Sequence, residues 1–347
     1  MKYPVVLTAL LIAGGAATAQ ADTLADCAAL AHDSARLACY DALAGRRAAG
    51  PEPGDESPAP AGTGAAGTTL AAGTTVEEDE GYEDEQFVSQ RLEEEQANAN
   101  NRFVIIPHKR NYLLPLTFNS NINEEAWKEQ HPGDGMDQAE AKFQISFKAI
   151  IWQDILGRDM DLWGAYTQEN WWQVYNTDVS SPFRETDYQP ELILSVANDW
   201  HFMGVHNTRL DISFTHQSNG SSEPQSRSWN RLIASALFEH RNFSLVTSAW
   251  YRIPERNKDD DNPDIDDYMG NGQLQGVWKW PDYTLGFTLR NNLSSDNKGA
   301  IQLDWTFPIS QRFSGYIQYF NGYGESLIDY NESTNRIGIG VSLSDPF

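Results

Sequence analysis

The chain has 347 residues, with 25 Lys and Arg set against 49 Asp and Glu, for a formal charge of −24. So acidic a chain repels phosphate backbones, which argues against a nucleic-acid partner. No run of about 18 apolar residues follows the N-terminus, so no helical membrane span is expected. Residues 1–21 read as an export signal peptide. Lys2 gives a positive start, Val5 to Ile12 a short apolar core, and Ala19-Gln20-Ala21 a small-x-small cleavage site. Cleavage there starts the mature chain near Asp22, beyond the inner membrane of a bacterium-like cell, and the absence of a Cys at that point argues against a lipid anchor. Residues 22–46 carry Leu24, Ala28, Leu30, Ala31, Leu37 and Leu43 in a helical pattern, together with Cys27 and Cys39. In an oxidising compartment these two cysteines read as a local disulfide closing a small helical hairpin; two free thiols are the alternative. Residues 47–100 read as a flexible acidic linker. It is rich in Ala, Gly, Pro and Thr to residue 75, then holds ten acids between 77 and 95, a composition that stays solvated.

From about residue 101 the pattern changes to period two, and all 11 Trp lie from Trp127 onward. Phe143, Ile145, Phe147, Ala149 and Ile151 alternate with Gln144, Ser146 and Lys148. Leu210, Ile212 and Phe214 repeat the alternation, as do Leu232, Ala234, Ala236 and Phe238, and later Ile301, Leu303, Trp305, Phe307 and Ile309. Such alternation predicts strands with one apolar face. Strands are expected at about 111–119, 141–153, 161–173, 190–199, 205–217, 230–239, 243–254, 270–280, 283–292, 300–309, 313–321 and 335–347. Their lengths of roughly ten residues suit tilted membrane crossings. Connections alternate between short turns and long loops, with long ones at 174–189, 218–229, 255–269 and 322–334. The expected fold class is all-β: a twelve-stranded antiparallel transmembrane β-barrel over residues 101–347, with a disordered or helical N-terminal extension. A terminal Phe347 would close the last strand. Trp152, Trp171, Trp172, Trp200, Trp250, Trp278 and Trp280 near strand ends suit aromatic girdles. The competing fold is a soluble β-sandwich, which needs neither an export signal nor this loop asymmetry.

The stretch most suggestive of chemistry is Thr215-His216-Gln217-Ser218-Asn219-Gly220, followed by Ser226-Arg227-Ser228-Trp229-Asn230-Arg231. His216 and Ser218 are two apart on a strand and share the face of Leu210, Ile212 and Phe214. Asn230 is in phase with Leu232, Ala234 and Ala236 on the next strand. All three polar residues therefore project from the lipid-facing wall, where polar groups are costly. A serine beside a histidine is the minimal activated nucleophile, and an amide oxygen can orient the imidazole without placing a charge at a lipid boundary. The bland alternative is a set of interfacial polar residues closing a loop.

These two motifs resemble those of the outer-membrane phospholipase A family, twelve-stranded barrels that hydrolyse phospholipid acyl esters. The resemblance continues through residues 180–186, Asp261-Asn262-Pro263, Tyr268-Met269-Gly270 and residues 322–331, in the same order. It implies Ser218 as nucleophile, His216 as general base and Asn230 as the group that orients it. It further implies calcium (Ca2+), with Ser226, the backbone carbonyl of Ser221 and Asp261 as ligands and Ser180 supplied across a homodimer in the membrane plane. Many relatives have Arg at the Ser221 position, a change that a carbonyl ligand tolerates. Phospholipids of the outer membrane would be the substrate, cleaved at sn-1 and sn-2 esters (phospholipase A1 and A2). Both termini would be periplasmic and the site would lie at the outer leaflet. A dimer would gate activity by forming the acyl-binding groove between two barrels. The alternatives are a passive pore or adhesin, and a lipid A deacylase. The cysteine segment, the linker and the acidic block lie outside the resemblance.

Overall fold

The computed structural model describes residues 104–344 except 158, 257–259 and 311–312. The signal peptide, Cys27, Cys39, the linker and Phe347 all lie outside the described residues. Thirteen strands run in chain order: β1 (Ile106–Pro107), β2 (Tyr112–Asn119), β3 (Ala139–Trp152), β4 (Met160–Trp172), β5 (Phe183–Phe202), β6 (Val205–Ser218), β7 (Ser228–His240), β8 (Phe243–Ile253), β9 (Gly272–Lys279), β10 (Thr284–Asn291), β11 (Gly299–Pro308), β12 (Ser314–Tyr323) and β13 (Ser333–Ser342). A seven-residue helix α1 (Glu124–Gln130) follows β2, and a one-turn helix α2 (Ile265–Met269) precedes β9. Each strand from β2 to β13 pairs antiparallel with its neighbours in sequence, and β13 pairs back onto β2. The sheet is thereby a closed twelve-stranded barrel without an edge, which is how a strand satisfies its backbone in a membrane. The two-residue β1 pairs with β3 beside β2 and extends that side of the barrel.

Burial along the strands is inverted relative to a protein folded in water. Leu116, Ile145, Leu192, Leu210, Ile212, Phe214, Leu232, Leu303, Trp305, Ile337 and Ile339 are exposed on the outer wall. An apolar belt of this kind would cost about 25 cal/mol per Å² in water, so its natural solvent is lipid. The charges face inward. Arg184 Nε bonds Glu140 Oε2 at 3.1 Å and its Nη1 bonds Asp329 Oδ2 at 2.6 Å. Arg336 lies 2.7 Å from Glu140 and 2.8 Å from Glu325, and Lys142 reaches Glu325 at 3.3 Å. Such buried charges are tolerated because each has a partner.

At the end of the barrel where β6 meets β7, the connections fold back into the mouth. Glu325 to Tyr330, between β12 and β13, are all buried. Leu327 N donates to Asp187 Oδ2 at 3.0 Å and Ile328 N to Glu185 Oε1 at 3.1 Å. Leu327 and Tyr330 join Trp229, Trp250, Ile265 and Met269 in an apolar cluster. Beneath this plug the lumen keeps a polar cavity of about 340 Å³, to which Gln144, Lys148 and Gln302 contribute.

Three expectations are corrected. The fourth long strand, β5, starts at Phe183 instead of 190, so the preceding loop is shorter than expected. Residues 184–187 read Arg-Glu-Thr-Asp, with no outward apolar alternation to betray a strand, and they are held by β4 and by lumen charges. The last strand ends at Ser342. Trp171 and Trp250 are not girdle residues: both are buried on the inner face. Trp171 lies beneath the Lys142 and Arg184 cations, and Trp250 meets Trp229 edge-on at 6.4 Å. Trp152, Trp200 and Trp278 do stand exposed on the outer wall.

Candidate active site

β6 ends at Ser218 and β7 begins at Ser228, with residues 219–227 as the loop between them. The register sets His216 directly opposite Asn230, and Ser218 opposite Ser228. Directly opposed residues have Cβ atoms about 5 Å apart, within reach of a single side-chain hydrogen bond. His216 Nδ1 lies 3.0 Å from Asn230 Oδ1. The proton on that ring can be deduced by working outward. Asn230 Nδ2 donates to Glu255 Oε1 at 3.0 Å, and an ionised carboxylate only accepts. The amide is thereby oriented with its oxygen toward His216, so Nδ1 carries the proton and Nε2 keeps a lone pair. Among the described residues no hydrogen bond joins Ser218 Oγ to the ring. Such contacts are often loose without substrate, and Ser218 sits on the same strand face two residues on.

The opposite face of the same two strands fixes the register. Gln217 Oε1 accepts from Trp229 Nε1 at 3.0 Å and from Arg231 Nη2 at 2.9 Å. The Arg231 guanidinium stacks 3.9 Å over the fully buried Trp229 ring. A slip of one residue would turn this clamp out into lipid.

The loop after Ser218 is built on Asn219. Its Oδ1 accepts from Ser221 N at 3.2 Å and Arg227 N at 3.0 Å, and its Nδ2 donates to Gln225 O at 2.9 Å. Gly220 follows with φ 69°, where an added Cβ would come within 3.0 Å of the Tyr188 ring. Ser226 Oγ donates to Asp261 Oδ2 at 2.6 Å. Asn262 Oδ1 accepts from Ser228 N at 2.9 Å, which locks the Asp261 loop to the start of β7. Glu223 hydrogen-bonds Asp261, and this contact and the neighbouring charge raise the Glu223 carboxyl above the usual carboxylate range. Two facing carboxylates and a serine hydroxyl are hard oxygen donors, a set that suits a calcium-like cation. The acidic loop is not simply solvated, since Asp260 pairs with Arg252 at 2.6 Å.

Of the expected site residues, the structure brings His216 and Asn230 into contact, and Ser226 and Asp261 into contact. Ser218 and Ser221 lie at the start of the same loop. Ser180 stands apart. It is exposed in the β4–β5 loop at φ 63°, and no described contact links it to the others. Glu255, Gln217, Asn219 and Glu223 escaped the sequence reading. Gln217 had a signal, because a residue between His216 and Ser218 must point inward. Glu255 had none, since it lies beyond the end of β8 in the long loop expected at 255–269.

Comparison with known proteins identifies the relatives of this chain. A family model described as Phospholipase A1 matches residues 88–343. Phospholipase A1 of Escherichia coli K12 is 40% identical over 248 residues, covering 72% of this chain and 84% of that protein. The solved structure of outer membrane phospholipase A from Escherichia coli is 39% identical with a TM-score of 0.65, covering 71% of this chain and all of that one. A crystal structure of the Salmonella typhi outer membrane phospholipase, described as a dimer with bound calcium, is 38% identical with a TM-score of 0.66, covering 72% and 97%. The fold defines a membrane-spanning β-barrel whose polar cluster lies on its outer wall. Within that class, the chain belongs to the phospholipase A1 family.

Proposed function

We propose that this chain is a calcium-dependent outer-membrane phospholipase that hydrolyses the sn-1 and sn-2 acyl esters of phospholipids and lysophospholipids. The observation that carries the reading is the His216–Asn230 hydrogen bond on a lipid-facing wall, two residues along the same strand face from Ser218. Ser218 Oγ attacks the ester carbonyl while its proton passes to His216 Nε2. His216 then gives that proton to the departing glycerol oxygen, leaving an acyl group on Ser218. Water, deprotonated by His216, releases the fatty acid and regenerates the serine. Asn230 holds the ring in the tautomer this needs. Asn219 N–H is spent on Arg227 O, so Gly220 N–H is the backbone donor we assign to the oxyanion. Calcium held by Ser226, Asp261 and the Ser221 carbonyl, with Ser180 of the partner subunit, would add positive charge beside that oxyanion. The reading thus includes a homodimer as the active form. It also includes export by residues 1–21, the 22–46 and 47–100 segments as periplasmic extension, both termini periplasmic, and the site at the outer leaflet.

The test is fatty-acid release from phospholipid micelles by the refolded protein, wild type and Ser218→Ala, each with calcium and with a chelator. Hydrolysis that needs both is the expected result. A folded wild type that releases nothing with calcium would return the pore and lipid A deacylase readings.

A further inference from the structure

At the end of the β5–β6 hairpin away from Ser218, we propose a binding site for a first-row transition-metal dication such as Zn2+, formed by Asp199, His201 and His206. The hairpin builds this cluster directly. Met203 and Gly204 both have positive φ, 53° and 80°, the mark of a tight two-residue turn matched to the strand twist. The turn sets His201 directly across from His206, and Asp199 follows two residues back on the same face. The two imidazole rings stack 4.0 Å apart at 10°. His201 Nε2 lies 2.9 Å from Asp199 Oδ1, and His206 Nε2 lies 3.0 Å from the same oxygen. One ligand atom from each residue falls within 4.8 Å of the others.

A hydrogen bond to Asp199 accounts for His201 but not for His206. His206 Nε2 approaches the carboxylate out of line for a hydrogen bond, and both of its ring nitrogens are shielded from water without a hydrogen-bond partner. Leaving a ring nitrogen so buried costs free energy unless something accepts its lone pair. Two neutral imidazoles and one carboxylate converging on a point are the donor set of zinc and copper, not of calcium, which takes oxygen alone. Neighbouring side chains brace the turn. Trp200 and Phe202 stack on the opposite face at 5.7 Å, and His240 Nδ1 bonds Gly204 O, which ties the turn to the next hairpin. Asp199 and His201 are exposed, so an ion can enter and water can complete its coordination. From His206 to Ser218 the strand spans twelve residues, on the order of 40 Å at about 3.3 Å each, so this ion would not touch the ester chemistry.

Isothermal titration of the refolded full chain with ZnCl2, in calcium-containing buffer free of chelators, tests the proposal. One saturable zinc site is expected in wild type. His201→Ala and His206→Ala should each weaken it at least tenfold and Asp199→Asn by less, while His216→Ala leaves it intact. Co2+ in place of zinc should give the visible absorption of a low-coordinate site, lost in His206→Ala. Calcium-dependent hydrolysis and barrel folding on unheated gels should be unchanged in His201→Ala and His206→Ala. Zinc uptake unaffected by either histidine variant, uptake abolished only by His216→Ala, or none up to about 1 mM would overturn the site.

Discussion

Glu255, Asn230 and His216 form a chain in which each group fixes the next. An acceptor-only carboxylate decides which way the amide faces, and the amide decides which ring nitrogen keeps its proton. Asn230→Ala should lower kcat by roughly 10²-fold, within the range for losing effective general-base catalysis. Glu255→Ala leaves the amide free to flip and should cost about tenfold in kcat with KM unchanged, a split that steady-state assay of the two variants reads directly. Gly220→Ala would place a Cβ at φ 69° against Tyr188. A strained L-residue there costs about 1–2 kcal/mol, so activity should fall while the barrel still folds, as judged by circular dichroism. Glu223 faces Asp261 and holds its proton to higher pH than an ordinary glutamate. A proton held between Glu223 and Asp261 must leave before Asp261 can hold a cation, so calcium affinity should fall as pH drops through that raised range. Glu223→Gln should flatten that portion of the profile, and Asp261→Asn should weaken calcium by tenfold or more at every pH; calcium titration of the hydrolysis rate measures both.

The β6–β7 hairpin carries two opposite requirements on two faces. The outer face presents His216, Ser218 and Asn230 to lipid, and the inner face locks the register through Gln217, Trp229 and Arg231. Trp229→Ala removes a fully buried ring and should cost about 3–5 kcal/mol, visible as an earlier midpoint in urea unfolding from micelles. The outer face was legible in the sequence because strand parity and apolar alternation are enough to assign it. Both His216 and Asn230 fell where parity put them, directly across from each other. The inner face was less legible. Trp171 and Trp250 lie near strand ends like girdle residues, and only their phase against the inward charges separates the two roles. The start of β5 was hidden for a related reason: Arg184, Glu185 and Asp187 serve a charge network contributed by distant strands, which no local pattern reveals. Ser226 and Asp261 are 35 residues apart, and their contact depends on how two loops fold over one rim.

The whole barrel resembles a soluble protein turned inside out, with the ion network standing where an apolar core would be. Glu140 neutralises Arg184 and Arg336 together. Glu140→Ala should destabilise the barrel by about 3–5 kcal/mol, because it strands buried cations, and Glu140→Gln should recover only part of that loss; the unfolding midpoint in urea again reports it. The plug formed by residues 325–330 and the cluster around Trp229 pack into the mouth from within. On the proposed function, an ester reaches Ser218 from the outer wall of the barrel and the lumen has no part in its delivery. Encounter between enzyme and substrate is then two-dimensional. The quantity that governs rate is the mole fraction of phospholipid in the surrounding film, and bulk molarity is secondary. Diluting the film with an inert amphiphile should slow turnover even when total phospholipid in the tube is held constant.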